Sequence, residues 1–378
     1  MRLFHEVAAV PTNSCILLET REEAINWPKG EIRLGFCDAC GFISNMAFDP
    51  VLTEYSGRYE ETQAYSPTFN TFQERLAREL VERHDLNEKD IIEIGCGKGE
   101  FLNLLCELGN NHGLGYDPGY SEVRGREMGS GQFDVVRDFF SAKYTDRQAD
   151  FVACKMTLEH IRTPYEFIGT AVRVARRPDG VVFIQVPESL RIVRDCAFED
   201  IYYEHCSYFT AGSLSRLFEK LGFDVVNTEI TYGDQYLTVE ARPGVGDSIP
   251  KSGISNDLAE LAALVDGFPD QFAARVAEWA TRLEDWAKHD RKVVIWGSGS
   301  KGVSFLATVP GADVVTHAVD INPYRQGYFM PGTAQRILSP EETAKFGPDV
   351  VIVMNRVYVP EIRTMLDDLG LQPEIHAL

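Results

Sequence analysis

Three glycines stand within five residues at Gly95-Cys96-Gly97-Lys98-Gly99, directly after the apolar run Asp90-Ile91-Ile92-Glu93-Ile94 and directly before a helical pattern over 101–108. A strand, a glycine turn and a helix in that order constrain the fold more than any other feature of the chain. Glycines let the backbone turn sharply and come close to a ligand that side chains would exclude, and the order is the opening of a doubly wound parallel sheet. The flanking pattern agrees. Further strands are predicted at 112–117, 133–136, 150–154 and 181–186, with helices at 68–84 and 164–176, and this alternation of strand and helix predicts a parallel α/β sheet.

The pattern then starts again. Residues 243–255 are rich in Gly, Pro, Ser and Asp and read as a linker or long loop. A long amphipathic helix is expected over 257–288, followed by a strand at 292–296, a second glycine loop at Gly297-Ser298-Gly299-Ser300-Lys301-Gly302, and strands at 314–319 and 350–353. A chain of 378 residues is too long for one ordinary core. The expected fold is therefore α/β, with two Rossmann-like doubly wound domains joined by a helix and a small N-terminal module containing cysteines. The expected bounds are 1–65, 66–250 and 251–378.

The first loop points to a particular ligand. Its third glycine follows too closely for the turn that seats a pyrophosphate in a dinucleotide site, and Glu93 precedes it, which favours S-adenosylmethionine (SAM). Gly95, Gly97 and Gly99 would form the cradle. Asp117, about 20 residues on at the end of the next strand, is placed to accept both ribose hydroxyls. Asp138 and Phe139, after the third strand, would pair with the adenine amine and stack on the ring.

Two further segments carry chemistry. Asp200-Ile201-Tyr202-Tyr203-Glu204-His205-Cys206-Ser207-Tyr208-Phe209 concentrates a histidine, carboxylates and tyrosines between predicted elements, where catalytic groups favour loops on a rigid scaffold. Histidine is the natural general base near neutral pH, and a neighbouring glutamate can orient it. A second pair, Glu159-His160, follows the fourth strand. The Gly297–Gly302 loop, with Asp320 about 20 residues on, would by itself pass as a dinucleotide fingerprint and so admits a dehydrogenase; Lys301 inside it favours an anion such as a diphosphate.

These pieces, in this order and spacing, resemble the sugar C-methyltransferases that act on nucleotide-linked 4-keto-deoxysugars. The resemblance also takes in Leu158-Glu159-His160-Ile161, Asp320-Ile321-Asn322-Pro323, Pro331-Gly332-Thr333 and Met354-Asn355. It implies SAM in the middle domain and a nucleotide sugar on the C-terminal one, held by Gly297, Gly299, Lys301, Gly302, Asp320 and Asn355. It also implies that His205 removes the proton beside the ketone, with Glu204, Tyr202 and His160 around it. The family's N-terminal module holds zinc on two CxxC pairs. Here only Cys37 and Cys40 form a pair, with Cys15 and His5 as further candidate ligands, so a zinc site and an unmetallated pair are both open readings. Where many members supply a catalytic tyrosine from a Tyr-Pro-Tyr stretch, this chain has Tyr59 through Tyr65, either of which would line the site.

The formal net charge of −20 argues against nucleic acid as a partner, because duplex binding leans on clustered Lys and Arg. A small anionic acceptor would need a local pocket of donors. No apolar run approaches the ~20 residues that cross a bilayer. The first residues lack a secretory signal, so a cytoplasmic location is expected. The alternatives within the same scaffold are O- or N-methylation and a regulatory protein that only binds SAM.

Overall fold

The computed structural model describes residues 1–121, 132–244 and 257–378. Strands β1 (Arg2–Pro11), β2 (Lys29–Phe36) and β3 (Ile43–Asn45) form an antiparallel sheet. The chain then enters the helix Pro67–His84, capped by the Ser66 side chain, which accepts from the Phe69 amide and satisfies one of the free donors of the first turn. Next come β4 (Asp90–Ile94), β5 (His112–Tyr116), β6 (Phe133–Val136), β7 (Phe151–Lys155) and β8 (Val181–Pro187). The two residues of β9 (Ser207–Tyr208) leave this run to pair with β3. β10 (Phe223–Thr231) and β11 (Tyr236–Pro243) then form a hairpin that returns to the large sheet.

The large sheet has the order β10-β11-β8-β7-β4-β5-β6, with β11 antiparallel to its neighbours and β8 through β6 parallel. Both faces are buried, as a parallel sheet requires. Ile92, Ile94, Val152, Cys154, Val182 and Ile184 pack into one core with the helix Ala211–Lys220. Ile91, Phe151, Ala153, Val181 and Phe183, the alternate residues, pack against Pro67–His84 and Glu100–Gly109. The second doubly wound unit is a fully parallel sheet in the order β14 (Arg336–Leu338), β13 (Val315–Val319), β12 (Val293–Trp296), β15 (Val350–Val353), β16 (Glu374–Ala377). The α/β reading with two Rossmann-like units holds.

Three expectations need correction. The helix expected over 164–176 ends at Ala171, because the backbone of 174–176 turns aside to bond Ala149 on the edge of the sheet. The helix Asp257–Lys288 does more than join two domains: Leu261, Val265 and Phe268 sit in the core of the N-terminal sheet, and Trp279, Leu283 and Trp286 in that of the C-terminal sheet. The N-terminal module is not separate either. Its fourth strand, β9, is supplied from the middle of the chain, and it touches the C-terminal unit where the Gly332 amide bonds the Ala24 carbonyl. The boundary expected at 250/251 lies outside the described residues.

Candidate active site

The first glycine loop has the backbone its composition predicts. Gly95, Gly97 and Gly99 all have left-handed φ, at 71°, 56° and 84°. A Cβ on Gly95 would lie 2.1 Å from Thr157 Oγ1, and one on Gly99 would lie 2.7 Å from the Phe133 ring. Asp117 fastens the loop: its Oδ2 accepts from the Gly97 amide at 2.9 Å and its Oδ1 from the Gly119 amide at 2.8 Å. Glu93 is buried beneath the loop, and burial pushes its carboxyl up to about 8. Asp138 is engaged by Lys143 and by the Tyr144 hydroxyl at 2.8 Å, whereas the Phe139 ring is exposed. The cradle of bare glycine backbone with an aspartate at its rim suits SAM, whose ribose diol needs a carboxylate and which carries no phosphate.

The second loop repeats the device. Asp320 Oδ2 accepts from the Ser298 amide at 3.1 Å, and its Oδ1 from the Asn322 amide at 2.9 Å. Here the loop opens onto a large cleft between the two Rossmann-like units. Gly297, Gly299, Lys301, Gly302, Asp320 and Asn355 all line it. Tyr65, Tyr202, Glu61 and Met156 form the facing wall. Tyr59 does not reach this cleft; its ring lies against Tyr55, and its phenol is directed to Glu204. Lys301 Nζ bonds Asp200 Oδ2 at 2.6 Å, and Arg191 binds the same oxygen, so one carboxylate serves two cations. Glu61, Asp320 and Glu361 line the same cleft, so an anion there would rest on the loop amides and Lys301 and not on a surplus of positive charge.

Tyr202 brings the 200–209 segment to the cleft. Its hydroxyl lies 2.6 Å from His205 Nε2, while His205 itself is only 2 % exposed and has no hydrogen-bond partner at Nδ1. Burial, His160 and Lys301 together hold the His205 imidazole well below its usual pKa, so it is neutral and able to accept a proton. The His160 ring is 5.0 Å away, and its Nδ1 donates to the Glu204 carbonyl at 3.1 Å. Glu204 anchors the N-terminal module: it accepts from the Ser14 amide at 2.7 Å, from the Ser14 hydroxyl, and from Asn13 at 3.2 Å. The segment rich in His, Glu and Tyr thus gathers all three parts of the fold.

Sequence reasoning missed several of these residues. Arg325, 5 % exposed, donates to the Ser298 and Glu60 carbonyls at 2.6 and 2.9 Å and ties the second loop to the cleft wall. Gln235 and Asn355 exchange two amide hydrogen bonds of 2.9 Å across the two units. Nothing local in the sequence marks either contact. Glu159 is fully buried, neither carboxylate oxygen has a hydrogen-bond partner, and one lies 3.9 Å from His205 Nε2. Burial raises its carboxyl from 4.5 to about 8. Between those values the unfolded chain has released this proton and the folded chain still holds it, so stability falls as pH rises. The Glu159→Gln variant is expected to flatten the decline in melting temperature between pH 5 and pH 8; a decline as steep as that of the parent would show that Glu159 is ionised in the fold.

The proposed metal ligands do not converge. Cys15 Sγ faces Ser300 Oγ at 3.7 Å in the cleft. Cys37 and Cys40 occupy a single turn closed by the Gly41 amide on the Cys37 carbonyl, next to Arg216, and His5 packs edge-on against Phe268 and Phe272. Two thiols on one turn leave a tetrahedral site half filled, so zinc does not fit Cys15, Cys37 and Cys40. Among the described residues, the one trio of ligand types within reach of a common ion is Glu159, His160 and His205.

Comparison with known proteins agrees with this geometry. Residues 69–228 match a family model described as a methyltransferase domain, and residues 256–370 match a C-methyltransferase C-terminal domain. The chain is 28% identical over 323 residues to C-methyltransferase NovU of Streptomyces niveus, covering 81% of this chain and 76% of that protein. Among solved structures, magnesium protoporphyrin IX methyltransferase of Synechocystis PCC 6803 aligns with 15% identity and a TM-score of 0.37, over 47% of this chain and 84% of that one. An O-methyltransferase family protein of Burkholderia thailandensis aligns with 16% identity and a TM-score of 0.38, over 47% and 59%. At these scores the two structures add nothing to the assignment, which the two family models and the curated relative carry. No described helix is long and apolar enough to cross a membrane. With a methyltransferase domain at 69–228 followed by a C-methyltransferase C-terminal domain at 256–370, the chain is a SAM-dependent methyltransferase similar to the C-methyltransferases.

Proposed function

We propose that this enzyme methylates the carbon next to the ketone, C3, of a nucleotide-linked 4-keto-deoxysugar, with His205 as the general base. The observation that carries the reading is the meeting, at one cleft, of the Gly297–Gly302 loop and Tyr202, whose hydroxyl lies 2.6 Å from Nε2 of the buried His205. The loop amides and Lys301 suit the diphosphate, and the neutral imidazole suits an acidic C–H bond. Methylating carbon requires a proton to be removed first, and the ketone lowers the barrier by accepting the developing charge.

Gly95, Gly97, Gly99 and Asp117 would hold SAM, which supplies an electrophilic methyl group on a sulfonium. The cleft wall at Met156 adjoins this loop through its neighbour Thr157, so donor and acceptor approach from the two sheets toward one point. His205 takes the α-proton at Nδ1, while Tyr202 fixes the ring through Nε2. The net charge of −20 suits a small acceptor held by local donors better than a nucleic acid, and a cytoplasmic location accords with a nucleotide-linked substrate. The test is exchange of the α-proton in deuterated water, with S-adenosylhomocysteine in place of SAM, across a panel of nucleotide-linked 4-keto-deoxysugars. Exchange at C3 of at least one member is expected; methyl transfer to a hydroxyl or amine with no exchange at carbon would overturn the reading.

A further inference from the structure

One carboxylate stands over the first glycine loop with an oxygen that no hydrogen bond satisfies. Glu61 lies in the wall of the cleft, and its Oε1 comes so close to the loop that a Cβ on Gly97 would lie 2.9 Å from it. Its Oε2 is buried and has no hydrogen-bond partner. Lys98 Nζ stays 3.6 Å from that oxygen and donates instead to the Tyr59 carbonyl at 3.2 Å, which pins the chain at 59–61 onto the loop. The neighbouring Glu60 is held from the other side: its Oε1 accepts from Asn322 Nδ2 and its carbonyl from Arg325 Nη1, both at 2.9 Å. Glu61 is therefore carried by a segment fixed between the two glycine loops.

A buried carboxylate oxygen without a donor is costly unless a ligand supplies one. The surrounding charges say which kind. Glu60 and Asp117 oppose the ionisation of Glu61 and Lys98 favours it, and burial, the largest influence, pushes the carboxyl up to about 7. A positive group arriving beside it would draw it to the ionised form, whereas a negative one would meet three acids and a single lysine.

SAM carries three charges near its sulfur. Its carboxylate would be repelled by Glu61. Its sulfonium has no N–H to donate and must lie in line with the acceptor carbon. Its α-ammonium has three donors, as a lysine ammonium has. We propose that Glu61 binds the α-ammonium of SAM and that Lys98 positions Glu61 to do so. This rests on the Gly95–Gly99 loop being the donor cradle. The donor is then held by carboxylates at two points: the ribose by Asp117, and the amino-acid end by Glu61.

Calorimetric titration with three ligands tests this, and none of them needs an acceptor. S-adenosylhomocysteine keeps the ammonium and lacks the sulfonium; 5′-methylthioadenosine keeps the adenosine and the sulfur but lacks the amino-acid tail. Glu61→Gln is expected to weaken SAM and S-adenosylhomocysteine by about 10-fold each, the loss of one charged hydrogen bond, and to leave methylthioadenosine within about twofold of the parent. Equal loss for all three ligands would make Glu61 a support of the loop only, loss confined to SAM would make it a partner of the sulfonium, and no loss would leave it without a role; each overturns the proposal. Gly95→Ala should weaken all three ligands. If it weakens none, the cradle itself is wrongly placed, a failure distinct from that of Glu61.

Proton release gives a second readout. In titrations of S-adenosylhomocysteine at pH 7 in buffers of different ionisation enthalpy, the parent is expected to release about half a proton more than Glu61→Gln, because the ammonium converts a half-protonated Glu61 to the carboxylate. Glu93 beneath the loop and Asp200, Lys301, Asp320, Arg325 and Glu361 around the cleft are the same in both proteins and cancel in the difference. Equal release in parent and variant would overturn the assignment.

Discussion

Replacing His205 with alanine is expected to lower methyl transfer by about 10²- to 10⁴-fold, the range that a positioned general base contributes, while SAM binds as before. The separation follows from the geometry. His205 lies beside the cleft, held through Tyr202, whereas the donor loop at Gly95–Gly99 is fastened independently by Asp117. The same variant should lose α-proton exchange with solvent. The neutral imidazole bonded directly to Tyr202 is the reason for so large an effect. Glu159 is held protonated by burial, and His160 uses Nδ1 on the Glu204 carbonyl. Undiminished exchange in His205→Ala would assign the base elsewhere, and lost SAM binding would mean that the two sites are coupled.

The second large effect is expected at Gly95. An alanine there must adopt a φ of 71°, and its Cβ would fall 2.1 Å from Thr157 Oγ1. Left-handed strain and the overlap together are expected to cost about 2–4 kcal/mol of stability. Because the loop must open to relieve the overlap, affinity for S-adenosylhomocysteine should fall by about 100-fold or more, equivalent to about 3 kcal/mol. Calorimetric titration measures the affinity and thermal unfolding the stability. Adding Thr157→Ala should restore part of the stability by removing the overlap but not the strain. Parent-like affinity in Gly95→Ala would show that the loop does not carry the donor.

Much of this site was legible in the sequence because short-range order wrote it there. A glycine loop after a buried strand dictates its own backbone, and the acid about 20 residues on falls at the next strand end in both Rossmann-like units. Asp117 and Asp320 show the same two amide contacts although their surroundings share little else. Contacts between distant segments were not legible. The Gln235–Asn355 pair spans 120 residues, Ser14 meets Glu204 across 190, and β9 joins the N-terminal sheet with only two residues. No periodicity announces such pairings; packing selects them once the cores have formed. The cysteines misled for the same reason. Cys15, Cys37 and Cys40 are near in sequence, but β1 and β2 carry Cys15 to the cleft and leave Cys37 at the far turn. The aromatic stretch from Tyr59 to Tyr65 splits likewise, with Tyr65 at the cleft and Tyr59 beside Glu204.

The most direct test of the account is where the methyl group goes. With SAM labelled with 13C in the methyl group and the panel of nucleotide-linked 4-keto-deoxysugars, carbon–proton correlation spectra of the product should show the labelled methyl bonded to the carbon beside the ketone, with one S-adenosylhomocysteine formed per product. A labelled methyl on oxygen or nitrogen would contradict the assignment of C3 and of His205 as the base that prepares it.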